Sequence, residues 1–119
     1  MIKKALLVSC ITENKYEIPI GKFIMGRYNP EVREIKLDIE IKEPRDNCVS
    51  RTHCRIYNDG EKVQVEDFGS TNGTYVNNKK IKPGEKVGLR DKDILSLGPR
   101  ELELFITEET ELLKKDSGN

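Results

Sequence analysis

A succession of short apolar or alternating segments, separated by turn-forming residues, constrains the fold of this chain most strongly. Segments of this kind, bounded by Gly, Pro, Asn and Asp, are typical of β-strands. In one of them Ile35, Leu37 and Ile39 alternate with charged residues, which predicts a strand with one buried face. Many short strands joined by turns predict an all-β sandwich or barrel. The predicted strands are Ala5–Ile11, Tyr16–Ile20, Phe23–Gly26, Ile35–Ile41, Cys54–Tyr57, Val63–Phe68, Thr74–Val76, Lys86–Leu89, Asp93–Leu97 and Leu102–Ile106.

The length and the charge balance of the chain restrict its organisation and its partners. With 119 residues it has the usual size of one domain. Lys and Arg number 21, as do Asp and Glu, whereas nucleic-acid binders usually carry an excess or a stripe of positive charge. Three cysteines without a C-x-x-C pair fit a reduced cytoplasmic protein better than a disulfide-stabilised one. The sequence therefore predicts one cytoplasmic domain that binds neither nucleic acid nor membrane.

Each terminus permits two interpretations. The N-terminal MIKKALLVSC resembles a bacterial lipobox ending at Cys10, but its apolar run Ala5–Val8 is shorter than a signal peptide requires, so we interpret it as the first strand. At the other end, Glu108–Lys115 begins with acidic residues and ends with lysines, which suits a helix dipole, although so polar a segment can equally be a frayed tail. We expect a folded domain over residues 1–107 and a polar tail or short helix over 108–119.

The segment DFGSTNGTYVN raises the first question about function. Asn72 and Gly73 alone would make a tight hairpin turn between two predicted strands, because both tolerate positive φ. Ser70 and Thr71 are then surplus, and they either pad the turn or bind something.

Two further groups of polar residues occur where predicted strands end or begin. The two groups are G-R at 26–27 and V-S-R-T-H at 49–53. The segment G-S-T-N-G-T at 69–74 is the third, and V-N at 76–77 and L-x-x-x-D-x-L-x-L-G from 89 to 98 follow it. In order and type they resemble the forkhead-associated (FHA) domain over about residues 5 to 106, and the long connection before Ser50 is similar to that of some bacterial members. This resemblance implies a β-sandwich of two mainly antiparallel sheets with about eleven short strands, as in small bacterial or archaeal members.

The resemblance also implies a phosphothreonine site with five binding residues. Arg27 would supply a planar fork of donors that suits phosphate. Ser50 offers a hydroxyl and a backbone N–H, and Arg51 adds a second cation. Thr71 would line the pocket, and the amide of Asn72 would hold the main chain of the peptide.

Other residues would shape this site according to the same resemblance. Gly26 would let the backbone turn without a side chain in the way, and Gly73 would supply a positive φ. His53 would fix the recognition loops by hydrogen bonds, and Ser70 would tie its loop to itself. Loops around 45–48 and 77–80 would select neighbouring peptide side chains; Arg45, Lys79 and Lys80 favour an acidic one.

Metal binding and catalysis are the alternatives for the same residues. Cys48, His53 and Cys54 would be three zinc ligands, but no fourth lies nearby and adjacent strand residues face opposite ways. Ser50 and His53 suggest a nucleophile and base, yet nothing specifies an orienting acid or an oxyanion hole. The sequence has no P-loop, H-E-x-x-H or G-x-S-x-G motif. We therefore expect no enzyme, no metal and no cofactor.

These expectations combine into one hypothesis about function. The chain is predicted to be a phosphothreonine-peptide-binding interaction module in Ser/Thr kinase signalling. Its partners would be phosphothreonine-containing segments of kinase substrates. The alternative is a phosphorylation-independent interaction or oligomerisation scaffold on the same fold, since a fold does not determine a function.

Overall fold

The computed structural model describes residues 1–27, 39–41, 49–50 and 52–108. All regular secondary structure in these residues is β-strand. No helix of the described residues is long and apolar enough to cross a membrane. The strands are β1 Ile2–Ser9, β2 Lys15–Glu17, β3 Gly21–Arg27, β4 Ile39–Ile41, β5 Cys54–Asn58, β6 Val63–Asp67, β7 Thr74–Val76, β8 Lys79–Lys80, β9 Lys86–Leu89, β10 Ile94–Leu97 and β11 Arg100–Glu108.

The strands form two sheets, which confirms the predicted sandwich. The six-stranded sheet has the order β2-β1-β11-β10-β7-β8, and the five-stranded sheet has the order β4-β3-β5-β6-β9. Neighbouring strands are antiparallel except β3 and β4, which run parallel. The sheets are thus mainly antiparallel, as expected.

Alternating burial along the strands explains why the two sheets pack face to face. In β5 and β6 each buried residue is followed by a half-buried one, since successive side chains of a strand point to opposite faces. The inward residues of both sheets form one apolar core, in which Leu7, Ile56 and Leu104 are fully buried. Leu7 lies in the segment that resembled a lipobox, and its place in the core confirms the interpretation of that segment as the first strand.

The observed strands differ from the predicted ones at a few places. β8 was not predicted, although the Asn77-Asn78 turn before it was a visible signal: both residues have positive φ and join β7 to β8 as a tight hairpin. β11 continues to Glu108, the first residue of the predicted helix or tail. The remainder of that segment and residues 35–38 of a predicted strand lie outside the described residues.

Asn72-Gly73 does not form the turn of a hairpin. β6 belongs to the five-stranded sheet and β7 to the six-stranded one, so residues 68–73 cross from one layer of the sandwich to the other. A crossing needs more residues than a two-residue turn, which accounts for the surplus Ser70 and Thr71. Only Gly73 of the pair has positive φ, at +84°.

Candidate functional site

Three separate parts of the chain meet at one end of the sandwich. Arg27 is the last residue of β3, and its backbone N–H donates to the carbonyl oxygen of Ser50 over 3.0 Å. The N–H of Thr71, in the crossing segment, donates to the Ser50 hydroxyl oxygen, also over 3.0 Å. The structure therefore brings together three of the residues that the sequence assigned to a phosphothreonine site.

His53 connects the segment around Ser50 to the crossing segment. Its Nδ1 accepts the backbone N–H of Ser50 at 3.0 Å, and its Nε2 lies 2.8 Å from the carbonyl oxygen of Gly73. Because a backbone N–H can only donate, Nδ1 carries no proton and Nε2–H is the donor to Gly73. The N–H of Gly98, in the β10–β11 turn, donates to the same carbonyl at 2.8 Å. The Gly73 carbonyl thus joins three loops.

These hydrogen bonds determine which donor groups of Ser50 remain available to a ligand. The sequence suggested that both its hydroxyl and its backbone N–H face a ligand, but the N–H is donated to His53. The hydroxyl oxygen accepts from Thr71, and a hydroxyl keeps one hydrogen to donate after accepting. Ser50 therefore presents its O–H as a donor and not its N–H.

The side chain of Arg27 is half-buried, and no charged group in the described residues compensates its charge. No described residue forms an ion pair or side-chain hydrogen bond with it. The guanidinium keeps its charge and five N–H donors at neutral pH. Within the described part of the chain, Arg27 is thus not a surface arginine held in an ion pair.

Gly26 does not act as a turn residue, contrary to the sequence-based expectation. It lies inside β3, where it pairs with Glu40 of the parallel strand β4, and its φ is not positive. The strand continues through Gly26 because β4 pairs with β3 as far as Arg27. Gly73, by contrast, has the positive φ that was expected of it.

Asp67 anchors the crossing segment, a role that the sequence reasoning missed. Its buried carboxylate accepts four hydrogen bonds: from the N–H groups of Gly69 and Ser70 at 2.9 and 3.2 Å, the Ser70 hydroxyl at 2.5 Å and the Thr74 hydroxyl at 2.6 Å. Burial raises the pKa of this carboxyl, but the hydrogen bonds outweigh it and the pKa is lowered. The spacing D-x-x-S was the available signal, because Asp side chains often bond to the backbone two or three residues on. Ser70 ties the segment to itself, as predicted.

Two of the remaining predicted site residues differ in whether the structure describes them. Asn72 is exposed beside Thr71, and its role in holding a peptide stays a prediction. Arg51 and Cys48 lie outside the described residues.

Burial raises the pKa of the Cys54 thiol and disfavours the thiolate that metals bind. With both His53 nitrogens engaged, the imidazole neither faces a metal nor accepts the proton of the Ser50 hydroxyl.

The buried imidazole predicts how stability depends on pH. Burial disfavours the charged ring and lowers the pKa of His53, against smaller opposing effects of the Gly73 carbonyl and Asp67. The contribution of the neutral His53 ring to the free energy of unfolding is therefore fully present above the unfolded-state pKa of about 6.5. It decreases as the pH falls towards the lower folded-state pKa, by at most about 1.4 kcal/mol per pH unit.

Urea unfolding between pH 7.5 and 5.5 measures this decrease. His53 is the sole histidine of the chain, so the variant His53→Gln should be less stable at pH 7.5 and almost insensitive to pH in this interval. An equal slope in the variant would assign the effect to other groups.

Comparison with known proteins places this arrangement in a family. The family model described as the FHA domain matches residues 23–98, which is more than half of the chain and contains all three loops. The chain belongs to the FHA domain family. The resemblance noticed in the loop motifs is thereby confirmed.

This FHA domain is similar to parts of longer proteins and to FHA domains of known structure. The protein FraH of Nostoc sp. is 34% identical over 103 residues, covering 86% of this chain and 35% of FraH; the chain spans about a third or less of the curated relatives it matches. An FHA structure from work on phosphothreonine-dependent FHA domain interactions superposes with a TM-score of 0.74 at 27% identity, covering 90% of this chain and 100% of that one. The FHA domain of FhaA from Mycobacterium tuberculosis, in complex with the intracellular domain of Rv3910, gives a TM-score of 0.68 at 29% identity, covering 84% and 98%.

Proposed function

We propose that this FHA domain binds phosphothreonine-containing segments of partner proteins, as an interaction module in Ser/Thr kinase signalling. The observation that carries the proposal is the meeting of Arg27, Ser50 and Thr71 at one end of the sandwich. The Arg27 guanidinium has no partner among the described residues, and the same holds for the Thr71 hydroxyl. The Arg27 guanidinium, the Thr71 hydroxyl and the Ser50 O–H together provide hydrogen-bond donors and one positive charge for an anionic ligand.

Phosphothreonine matches these donors chemically. Its phosphate carries about −1.5 to −2 charges and three strong acceptor oxygens, and a guanidinium can bind two of those oxygens at once. Asn72 is an exposed residue next to this position, and its amide is a group that has both donors and an acceptor with which to contact an extended main chain. Arg51 would add a second cation. The phosphothreonine-dependent interactions of the related FHA structure support this assignment.

Calorimetric titration with three matched peptides tests the proposal. The peptides differ only in carrying phosphothreonine, phosphoserine or unmodified threonine at the central position. We expect the phosphothreonine peptide to bind most tightly, the phosphoserine peptide more weakly because it lacks the methyl group, and the unmodified peptide not measurably. Equal binding of the phosphorylated and unmodified peptides would instead favour the phosphorylation-independent scaffold.

A further inference from the structure

A groove leads away from the proposed phosphothreonine site along the outer face of the six-stranded sheet. It has a volume of about 510 Å³, and its lining includes Asn72, Tyr75, Ser96, Pro99 and Glu101. Asn72 belongs both to the groove and to the crossing segment of the site. A peptide held at Asn72 therefore has this groove beside it.

The pairing of three strands builds the groove. Ser96 of β10 is opposite Tyr75 of β7 on one side and opposite Glu101 of β11 on the other. Residues directly opposite in neighbouring antiparallel strands stand on the same face, with Cβ atoms about 4.5–5.5 Å apart. A small serine between two long side chains leaves a depression whose walls are Tyr75 and Glu101.

Ser96 forms a polar floor. The residue is only 5% exposed, yet no described residue hydrogen-bonds to its hydroxyl. A hydroxyl with no protein partner at the base of a groove can form a hydrogen bond to a ligand in place of water. The groove can thus accept a hydrogen bond at its base as well as contacts along its walls.

Glu101 gives one wall of the groove a negative charge. It is the only charged residue among the described residues that line it, and none of the described cations forms an ion pair with it. Lys79 and Lys80, from which the sequence suggested an acidic preference, line a second cleft at the β8 edge with Val76, Ile81, Glu85 and Val87. Lys80 is also opposite Tyr75, and its Cε lies close to Gly73, so a positive charge stands beyond the Tyr75 wall and the negative charge of Glu101 stands at the other wall. The Glu101 side of the groove is therefore complementary to a positive side chain.

We propose that this groove selects phosphothreonine segments that carry a lysine or arginine within about four residues of the phosphothreonine, with Glu101 as the residue that determines the specificity. The proposal rests on the proposed function. A long basic side chain can lay its aliphatic stem along Tyr75 and Pro99 and direct its cationic head to Glu101 and the Ser96 hydroxyl. Four residues of extended peptide span about 13 Å, enough to reach from the loop into the groove.

Fluorescence-polarisation competition with scanned phosphothreonine peptides tests this selection. Each peptide carries Lys, Glu or Ala at one flanking position. We expect Lys to bind roughly 3- to 10-fold more tightly than Glu at one or two of these positions, with Ala between them. Glu101→Gln should remove the preference for Lys, and Glu101→Lys should reverse it. Both variants should still bind the Ala peptide, because Glu101 is exposed and outside the phosphate site.

Glu103→Lys is the matched control. Glu103 lies two residues along β11 on the same face, opposite Ile94, and does not line the groove; its replacement changes the net charge equally and should leave the preference for Lys unchanged. A preference for Glu, no preference, or equal effects of the two charge reversals would overturn the groove proposal while phosphothreonine binding stands. If a preference for Glu disappears in Lys80→Ala, the selectivity belongs to the β8 edge. Failure of every phosphothreonine peptide to bind would refute the proposed function and, with it, this selection.

Discussion

Replacing Arg27 by alanine is expected to weaken the binding of a phosphothreonine peptide by about 2–5 kcal/mol, or roughly 30- to 4,000-fold. No described residue neutralises the guanidinium of Arg27, whose backbone bonds to Ser50, so its loss removes a charged two-oxygen donor from the proposed phosphate site. The fold should persist, because the backbone N–H of Arg27, which donates to Ser50, is retained. Calorimetry gives the affinity, and thermal unfolding verifies the fold.

Two further variants separate the role of Arg27 from general electrostatics. Arg27→Lys keeps the charge but loses the planar fork, and it should bind with intermediate affinity. Arg90→Ala removes an exposed arginine that directly follows β9. Arg90 lies at the opposite end of the sandwich, because the last residue of β9 pairs with the first residue of β6. Its affinity should equal that of the wild type. An unchanged affinity in Arg27→Ala, or an equal loss in Arg90→Ala, would remove Arg27 from the site.

Replacing Asp67 by alanine is expected to lower the free energy of unfolding by about 3 kcal/mol at pH 7. The substitution removes an acceptor of four hydrogen bonds, and it leaves the Thr74 hydroxyl, on a residue with no exposed surface, without a partner. Hydrogen bonds to a charged group contribute about 1.5–3 kcal/mol each, and an unsatisfied buried donor costs about as much. Urea unfolding measures the loss. The peptide should also bind more weakly, since the segment that carries Thr71 loses its anchor.

A second carboxylate in the chain provides the matched control for Asp67. Asp59 accepts the N–H groups of Glu61 and Lys62 in the exposed β5–β6 turn, at the opposite end. Asp59→Ala should destabilise the protein less than Asp67→Ala and leave the affinity for the peptide unchanged. A double-mutant cycle with Thr74→Val should give a coupling above about 1 kcal/mol. If Asp67→Ala costs no more than Asp59→Ala, the carboxylate does not anchor the segment.

The strands could be predicted from the sequence because their signals are local. Alternation and turn residues give β7 and β9 with their observed bounds. The sheet that each strand joins is not a local property, and the pattern around Asn72-Gly73 therefore looked like a hairpin although it connects two sheets. The tight hairpin lies a few residues further on, at Asn77-Asn78, where the next strand has only two residues.

The site was partly predictable for a similar reason. The order of the motifs indicated Arg27, Ser50 and Thr71, and the structure places them together. Which hydrogen atoms they offer depends on the ring of His53, whose partners lie on two loops. The groove depends on the register of β7, β10 and β11, which brings Ser96 between Tyr75 and Glu101. Register across strands is set by the whole sheet, so sequence reasoning had no signal for it.

Amide chemical shifts followed during a titration with a phosphothreonine peptide test the central claim most directly. The claim is that the end of the sandwich formed by Arg27, Ser50 and residues 71–73 receives the phosphate. It predicts that the amides of Arg27, Ser50 and residues 71–73 shift most, with further shifts at Ser96 and Glu101 along the groove, and that the unphosphorylated peptide shifts none of them. The largest shifts at the opposite end, around Asn58–Glu61, or equal shifts with both peptides, would contradict it.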